Sequence, residues 1–253
     1  MSTVKAKKEK ADGLNSDKRV RERLKQLDWT KIQGGLHENG YSLVENVFSK
    51  EECDSLIASF KSSSDYRKEN TLQRYRFGQG EYKYFSYPLP PLINGVREAV
   101  YGKIFSVANE WMKELGIDLQ YPPTLDELRE ICRAAGQIYP TVFILEYQEG
   151  GYNSLHQDLY GTVYFPMQMA FFLNEVNVDY TGGEFILIEQ IPRAQSIPHV
   201  FTPNRGDMML FTTNFRPAKG GRGFYRVNMK RGVSKIKSGE RHTLGVVFHD
   251  ART

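Results

Sequence analysis

The feature that most constrains the fold is a succession of short apolar segments that begins at residue 140. Segments such as TVFILEY, FPMQMAFFLN and HTLGVVFH recur about every eight to twelve residues and are separated by turn-forming residues. About eight such strands fit into the last 110 residues, a density typical of a sandwich or barrel. The sequence therefore predicts an α+β chain in which helices pack outside a β-rich C-terminal half.

The chain before residue 140 is predicted to be mainly helical. Apolar residues at helical spacing indicate helices from Ser16 towards Trp29 and over residues 91–116. A further helix is predicted from Thr124, which caps it with Glu127 three residues on, and Leu125, Leu128 and Ile131 are expected to face inward. The polar first residues contain almost no large apolar side chains and predict disorder. We expect three regions: a disordered basic tail (1–18), a helical part with a few strands packing on the core (19–139), and the β-rich core (140–253).

Composition limits the classes of protein. The formal net charge is +4, much of it between Lys5 and Arg23, which is weak evidence for a nucleic-acid partner. The two cysteines, Cys53 and Cys132, are isolated and predict a reducing compartment without a disulfide framework. No apolar run approaches the roughly 18 residues of a membrane span. We therefore expect a cytoplasmic protein that does not contact a membrane, and the sequence leaves its oligomeric state open.

The stretch LEYQEGGYNSLHQDLY contains the clearest sign of chemistry. It ends with His156 and Asp158, and residues two apart in a strand point to the same face. An imidazole nitrogen beside a carboxylate forms half of a mononuclear metal site. This donor pair suits a divalent first-row metal, iron(II) above all if a second histidine joins it. The pattern predicts His156 and Asp158 as metal ligands and catalytic residues.

A second pair of candidates lies near the C-terminus. The segment 231–248 is predicted to form two strands joined by a turn at Ser238 and Gly239, and Arg241 and Thr243, two residues apart, share a face of the second strand. An arginine offers a planar fork that holds a carboxylate through two hydrogen bonds, and the threonine hydroxyl can donate to the same oxygen. Tyr147, nine residues before His156, lies on the strand that leads into the metal site and can add a phenol. Together these side chains predict an anchor for one end of a small dicarboxylate whose other end chelates the metal.

Aromatic and basic residues suggest where a substrate would lie. The segment RYRFGQGEYKYFSY is rich in arginine, tyrosine and glycine and could form one wall of a pocket, although its aromatic residues could equally belong to the core. The candidate substrate residues are Arg74, Arg76, Tyr84, Tyr160 and Tyr164.

These motifs, taken in order, resemble those of the iron(II)/2-oxoglutarate-dependent dioxygenases. The matching residues are Tyr147, His156 with Asp158, TGGEF from Thr181, PNRGD from Pro203, and Arg241 with Thr243. RYRFGQGEYKYF, NSLHQDLYG and SGERHTLGVVFHDA are similar to a bacterial group described as acting in oxidative demethylation of damaged DNA. The resemblance implies a double-stranded β-helix core, jelly-roll or cupin-like, with flanking N-terminal helices.

The resemblance also implies a chemistry. The family uses iron(II) as cofactor and 2-oxoglutarate as co-substrate, which implies that 2-oxoglutarate pairs with Arg241, Thr243 and Tyr147. The implied activity is oxidative hydroxylation or demethylation of a small molecule or a modified base. A nucleic-acid partner and a role in DNA repair are weaker implications. An alkylated base would have to be flipped out of a duplex, or be single-stranded, to reach the metal.

The sequence departs from the family at one decisive position. The third ligand of the family is a histidine ten residues before the anchoring arginine, and Arg231 stands there in this chain. A guanidinium has no lone pair to offer and repels a divalent cation. Three interpretations remain open: an active dioxygenase with two protein ligands, a catalytically impaired protein that binds 2-oxoglutarate or a partner, and an active enzyme seen with a substituted ligand. His242 neighbours Arg241 in the strand, so it is expected to point to the opposite face, towards solvent. We expect His242 and His249 to make structural hydrogen bonds instead of replacing the ligand.

Overall fold

The structure is a computed structural model that describes residues 15–61 and 65–253. Within this part of the chain, helices precede and flank two large antiparallel sheets, and two further strands form a small sheet. The helices are α1 (15–25), α2 (Trp29–Asn39), α3 (Lys50–Lys61), α4 (Pro91–Glu114) and α5 (Leu125–Ala134), with a 3₁₀ turn at Gln73–Tyr75.

The strands fall into an early and a late group. The early strands are β1 (Tyr41–Val44), β2 (Tyr66–Thr71), β3 (Gly78–Gln79) and β4 (Glu81–Phe85). The late strands are β5 (Val142–Tyr147), β6 (Tyr152–His156), β7 (Met167–Phe172), β8 (Tyr180–Gly182), β9 (Phe185–Gln190), β10 (Ile197–Phe201), β11 (Met208–Thr212), β12 (Phe215–Gly220), β13 (Gly223–Val233), β14 (Ile236–Gly239) and β15 (Arg241–Val247).

The two large sheets form the predicted double-stranded β-helix. One sheet has the order β1-β11-β7-β15-β5-β4-β2, and the other has the order β10-β9-β13-β6-β3 with β12 added beside β13. Side chains that alternate along the strands fill the space between the sheets, as Phe172 and Phe211 of the first sheet meet Phe185 of the second. The α+β class predicted from the strand pattern and the jelly-roll core implied by the resemblance are confirmed.

The helices cover the outer face of the larger sheet. Helix α4 buries Ile93, Val96, Val100 and Trp111, which recur at helical spacing and pack in the same cluster as alternate residues of the sheet. Helix α5 begins with the predicted capping box, in which Thr124 and Glu127 satisfy each other's backbone N–H groups. Among the described residues, no helix has both the length and the apolar character that a membrane crossing requires.

Three local predictions are wrong. Residues 15–18 begin helix α1, so they do not belong to a disordered tail; residues 1–14 lie outside the described part of the chain. Ile131 is 46% exposed, because the buried face of its helix runs through Leu125, Leu128 and Cys132. The segment 231–248 forms three strands instead of two, since β14 leaves the main sheets and pairs with β8.

The early strands do not form a layer of their own. Strands β1, β2 and β4 are hydrogen-bonded into the larger sheet, and β3 joins the smaller one beside β6. The division at residue 139 therefore stays a proposal about organisation, because the two parts share both sheets.

Candidate active site

The centre of the site lies where strand β6 ends. His156 is the last residue of the strand and Asp158 follows it in a loop, so the prediction of one strand carrying both residues is wrong for Asp158. His156 Nε2 nevertheless lies 3.6 Å from Asp158 Oδ1. The other ring nitrogen, Nδ1, lies 2.6 Å from the Ser154 carbonyl oxygen, so we assign the N–H to Nδ1. This tautomer leaves the Nε2 lone pair facing the carboxylate.

Asp158 is buried and engaged on both oxygens. The Tyr160 hydroxyl donates to Oδ1 at 2.9 Å, and Arg231 Nε donates to Oδ2 at 2.5 Å. Burial by itself would raise the pKa of the Asp158 carboxyl, but the charge of Arg231 and its hydrogen bond hold that pKa well below its usual range. The carboxylate is therefore ionised at any pH near neutrality.

Arg231 lies ten residues before Arg241, at the position where the resemblance implies a histidine as the third metal ligand. Strands β13 and β6 are neighbours, and their register places Arg231 directly opposite His156. The Arg231 side chain is only 11% exposed. Its charge compensates Asp158, but its nitrogens offer no lone pair to a metal. His156 and Asp158 thus fit two positions of an iron site, and Arg231 does not fit the third.

The other histidines do not supply the missing donor. His242 has Asn174 on one ring nitrogen and Glu146 on the other, at 3.1 and 3.2 Å. His249 Nδ1 accepts the Phe165 backbone N–H at 3.0 Å, which places its own hydrogen on Nε2. Burial lowers the pKa of both imidazoles to about 4, so they are neutral near pH 7. His242 lies on the opposite face of β15 from Arg241, as predicted, but it is buried there beside Phe60 instead of facing solvent.

Arg241 and Thr243 line a narrow cleft between the sheets, next to the site. The Arg241 side chain is 1% exposed, and its Nη1 donates to Thr243 Oγ1 at 2.8 Å. Its Nε and Nη2 atoms have no hydrogen-bond partner among the described residues. The guanidinium lies within 5.4–5.8 Å of the ring centres of Phe172, Tyr147 and Tyr180. Buried donors without partners are costly, so this geometry fits the incoming carboxylate of a ligand such as 2-oxoglutarate.

Two polar residues of this region were missed in the sequence. Gln168 lines the cleft, and its buried Nε2 atom also has no partner among the described residues. Asn153 donates to the Tyr147 hydroxyl at 3.2 Å and holds that phenol in place. The signal for Gln168 was available, because it is the one polar side chain in the otherwise apolar strand MQMAFF.

A larger cavity of about 470 Å³ opens on the other side of His156 and Asp158. Of the candidate substrate residues, Tyr84 and Tyr160 line it. Tyr164 does not, because it packs against the core under the helices. Arg74 and Arg76 belong to the 3₁₀ turn and its cap and stay outside the wall. Residues that the sequence reading missed complete the wall: Arg67, Lys68, Tyr75, Phe77, Tyr82 and Arg252.

The loop that carries Asp158 is fixed by Gln137. This fully buried amide accepts the backbone N–H groups of Thr162 and Val163, both at 2.8 Å, and donates to the Val163 and Asp250 carbonyl oxygens. It therefore ties the loop after Asp158 to the segment that follows β15. Gln157 adds a second tie, because its side chain donates to the carbonyl oxygens of Asn214 and Met229.

Comparison with known proteins identifies the family. The sequence model of the Oxygenase-NA family, described as "Oxygenase, catalysing oxidative methylation of damaged DNA", matches residues 80–251. This chain belongs to the Oxygenase-NA family. An uncharacterized Mycobacterium tuberculosis protein, present in two strains, is 41% identical to it over 167 residues, which cover 66% of this chain and 72% of that protein.

Solved structures agree with this placement at the level of the fold. A Pseudomonas putida prolyl-4-hydroxylase is 13% identical with a TM-score of 0.55, over 88% of this chain and 98% of its own. A Burkholderia pseudomallei oxidoreductase of the 2OG-Fe(II) oxygenase family is 12% identical with a TM-score of 0.53, over 89% and 93%. The chain is thus an oxygenase of the Oxygenase-NA family by sequence, and it shares the fold of these two enzymes.

Proposed function

We propose that this Oxygenase-NA protein oxidises an alkyl group on a nucleic-acid base, with 2-oxoglutarate as co-substrate. The observation that carries the proposal is the position of the aromatic and basic cavity, which meets His156 and Asp158 on one side and adjoins the cleft of Arg241. An oxygenase inserts oxygen, so the alkyl group would be the part that is oxidised. The family description, which names damaged DNA, supports this class of substrate.

The cavity suits a flat ring with a negatively charged backbone. Its volume of about 470 Å³ lies within the range of small-molecule sites. Tyr75 and Phe77 at its wall are each 44% exposed, and Phe77 lies 5.7 Å from the His156 ring, centre to centre. Such rings stack on unpaired bases. Asp158 is the one acidic residue among those that line the cavity, and it is already paired with Arg231.

The hairpin of strands β12 and β13, called the basic hairpin below, also supports a nucleic-acid substrate. Residues 208–239 contain eight lysines and arginines and no aspartate or glutamate, in a chain whose net charge is only +4. Lys219, Arg222 and Arg226 are exposed on the hairpin of β12 and β13, next to the exposed rings of Phe224 and Tyr225. Strand β13 leads from this hairpin to Arg231 in the site. Exposed cations and aromatic rings are the groups that hold a nucleic-acid strand.

The roles of the site residues follow from their positions. Arg241, Thr243 and Tyr147, with Gln168 beside them, would hold the far carboxylate of 2-oxoglutarate. His156 and Asp158 would be the metal ligands, and iron(II) is the group that supplies the oxidising chemistry in this family. Tyr84 and Tyr160 would contact the base. We also propose a cytoplasmic location and a part in DNA repair, in keeping with two buried cysteines that are both free.

The test is turnover on short single-stranded oligonucleotides that carry a methylated base, with the unmethylated sequence as the control. Succinate and loss of the methyl group are measured together, in the natural protein and in the Arg231→His variant, so that weak metal binding does not hide the substrate preference. We expect succinate formation to rise when the methyl group is present. Turnover that is equal on both oligonucleotides in both proteins would refute the nucleic-acid substrate.

A further inference from the structure

Two arginines line the same narrow cleft from different strands. Arg241 comes from β15 and Arg231 from β13, and no aspartate or glutamate is among the residues that line this cleft. Arg241 has no ion-pair partner among the described residues, whereas Arg231 has only Asp158, which lies on the side of the large cavity. The cleft therefore presents more positive than negative charge, which is the requirement for an anion site.

Arg231 uses only part of its hydrogen-bonding capacity on Asp158. The pair is made through Nε, and the two terminal nitrogens of the guanidinium make no hydrogen bond within residues 15–61 and 65–253. Arg231 lines both the cleft and the large cavity, so it stands at their junction. Its free nitrogens can take a second carboxylate, because a guanidinium carries five N–H donors in one plane.

We infer that Arg231 binds the carboxylate of the co-substrate that a metal would otherwise chelate, so that this chain binds a small dicarboxylate without any metal. One carboxylate pairs with the unpartnered N–H groups of Arg241 and with Gln168. The other pairs with the terminal nitrogens of Arg231, at the place where a metal would chelate it in the rest of the family. The ligand class is a short dicarboxylate of the size of 2-oxoglutarate.

The dimensions of the two cavities fix how such a ligand lies. The cleft has a volume of only about 10 Å³, about the space of one water molecule, so a carboxylate oxygen can enter it but the rest of a dicarboxylate cannot. Phe143 and Leu145 line the cleft and the large cavity alike, as Arg231 does. The ligand therefore has one end in the cleft on Arg241 and its other end in the large cavity beside Arg231. This inference concerns the co-substrate site of the proposed function but needs neither turnover nor a nucleic acid.

The test is the dissociation constant of 2-oxoglutarate measured by calorimetry, once with excess chelator and once with manganese(II). The proteins are the natural chain, Arg231→His, Arg231→Lys and Lys230→His. Lys230→His is the matched control, because residue 230 is on the same strand but faces the other side. Circular dichroism and the unfolding temperature confirm that each variant is folded.

We expect the natural chain and Lys230→His to bind 2-oxoglutarate in chelator, with little gain from manganese. Arg231→His should bind at least tenfold more weakly in chelator and recover when manganese is added, while Arg231→Lys keeps part of the metal-free affinity. The inference is overturned if the natural chain binds only when metal is present. It is equally overturned if Arg231→His binds as tightly as the natural chain in chelator. Because no substrate is used, a negative result here is separate from a failure of the proposed reaction.

Discussion

Arg231 Nε lies 2.5 Å from Asp158 Oδ2, and this largely buried ion pair fills the position opposite His156. In a site built for a metal, Asp158 would be compensated by the cation. Here a side chain of the protein itself supplies the positive charge. The pair explains how an aspartate can be buried to 1% exposure without a bound ion.

The pair predicts strong energetic coupling between the two residues. Asp158→Asn leaves a buried guanidinium uncompensated and should lower the free energy of unfolding by about 3–5 kcal/mol. Adding Arg231→Met to this variant should recover much of the loss, because two neutral side chains need no counter-charge. Urea unfolding of both single variants and the double variant measures the coupling. Simple additivity of the two single effects would show that the pair does not stabilise the fold.

Arg241 is predicted to bind 2-oxoglutarate through the planar fork of its guanidinium. Arg241→Lys keeps the positive charge among the three aromatic rings but loses the second hydrogen bond to the carboxylate. We expect the affinity for 2-oxoglutarate to fall by about tenfold to a hundredfold, with little change in stability. Arg67→Lys is the matched control, since Arg67 lies over Tyr84 in the large cavity. If Arg67→Lys lowers the affinity for 2-oxoglutarate as much as Arg241→Lys does, Arg241 is not the group that anchors the carboxylate.

Buried histidines predict a loss of stability in mild acid. Burial lowers the pKa of His249 to about 4, whereas the unfolded chain takes up that proton near pH 6.5. The unfolded state therefore binds more protons between these values, so stability is complete above about pH 6.5 and falls as the pH drops towards 4. His249→Asn keeps an acceptor for the Phe165 N–H but cannot titrate. Urea midpoints between pH 7.5 and 4.5 should fall less steeply in this variant, and an unchanged slope would contradict the explanation.

The basic hairpin predicts a salt-dependent affinity for single-stranded DNA. Replacing Lys219, Arg222 and Arg226 by glutamine should weaken binding and reduce the slope of log affinity against log salt by about two to three. The control carries the same charge change on the helices, at Lys103, Lys113 and Arg133, which are also exposed. Filter binding or fluorescence anisotropy at several salt concentrations measures both slopes. If the slope of log affinity against log salt falls equally in both triple variants, the binding depends on net charge and not on the hairpin.

The sequence predicted the fold well because its signals are local. The strand segments, the capping box at Thr124 and the apolar face of α4 depend on near neighbours, and each is present. The pairing of Arg241 with Thr243 was predictable for the same reason, since residues two apart in one strand share a face. The prediction that Ile131 faces inward failed because helical spacing allows more than one apolar face. In the structure the buried face contains Leu128 and Cys132.

The walls of the site were harder to predict because they depend on which strands become neighbours. Tyr164, Arg74 and Arg76 are of the right chemical type, but they lie outside the strands, in a loop and in the 3₁₀ turn with its cap, and do not line the cavity. Gln168 and Arg67 reach the site through pairings of strands distant in sequence. The position of residue 231 was an exception: a fixed spacing from Arg241 predicted it, and the register of β13 with β6 places it opposite His156.

The most direct test of the account is the rate of succinate formation from 2-oxoglutarate, with saturating iron(II) and a methylated single-stranded oligonucleotide. It compares the natural chain, Arg231→His and Lys230→His. Because residue 231 faces His156 and Asp158, Arg231→His should complete the metal site and turn over at least tenfold faster than the natural chain, while Lys230→His should not. An Arg231→His variant that is folded yet no faster than the natural chain would contradict the assignment of residue 231 to the third ligand position of the metal site.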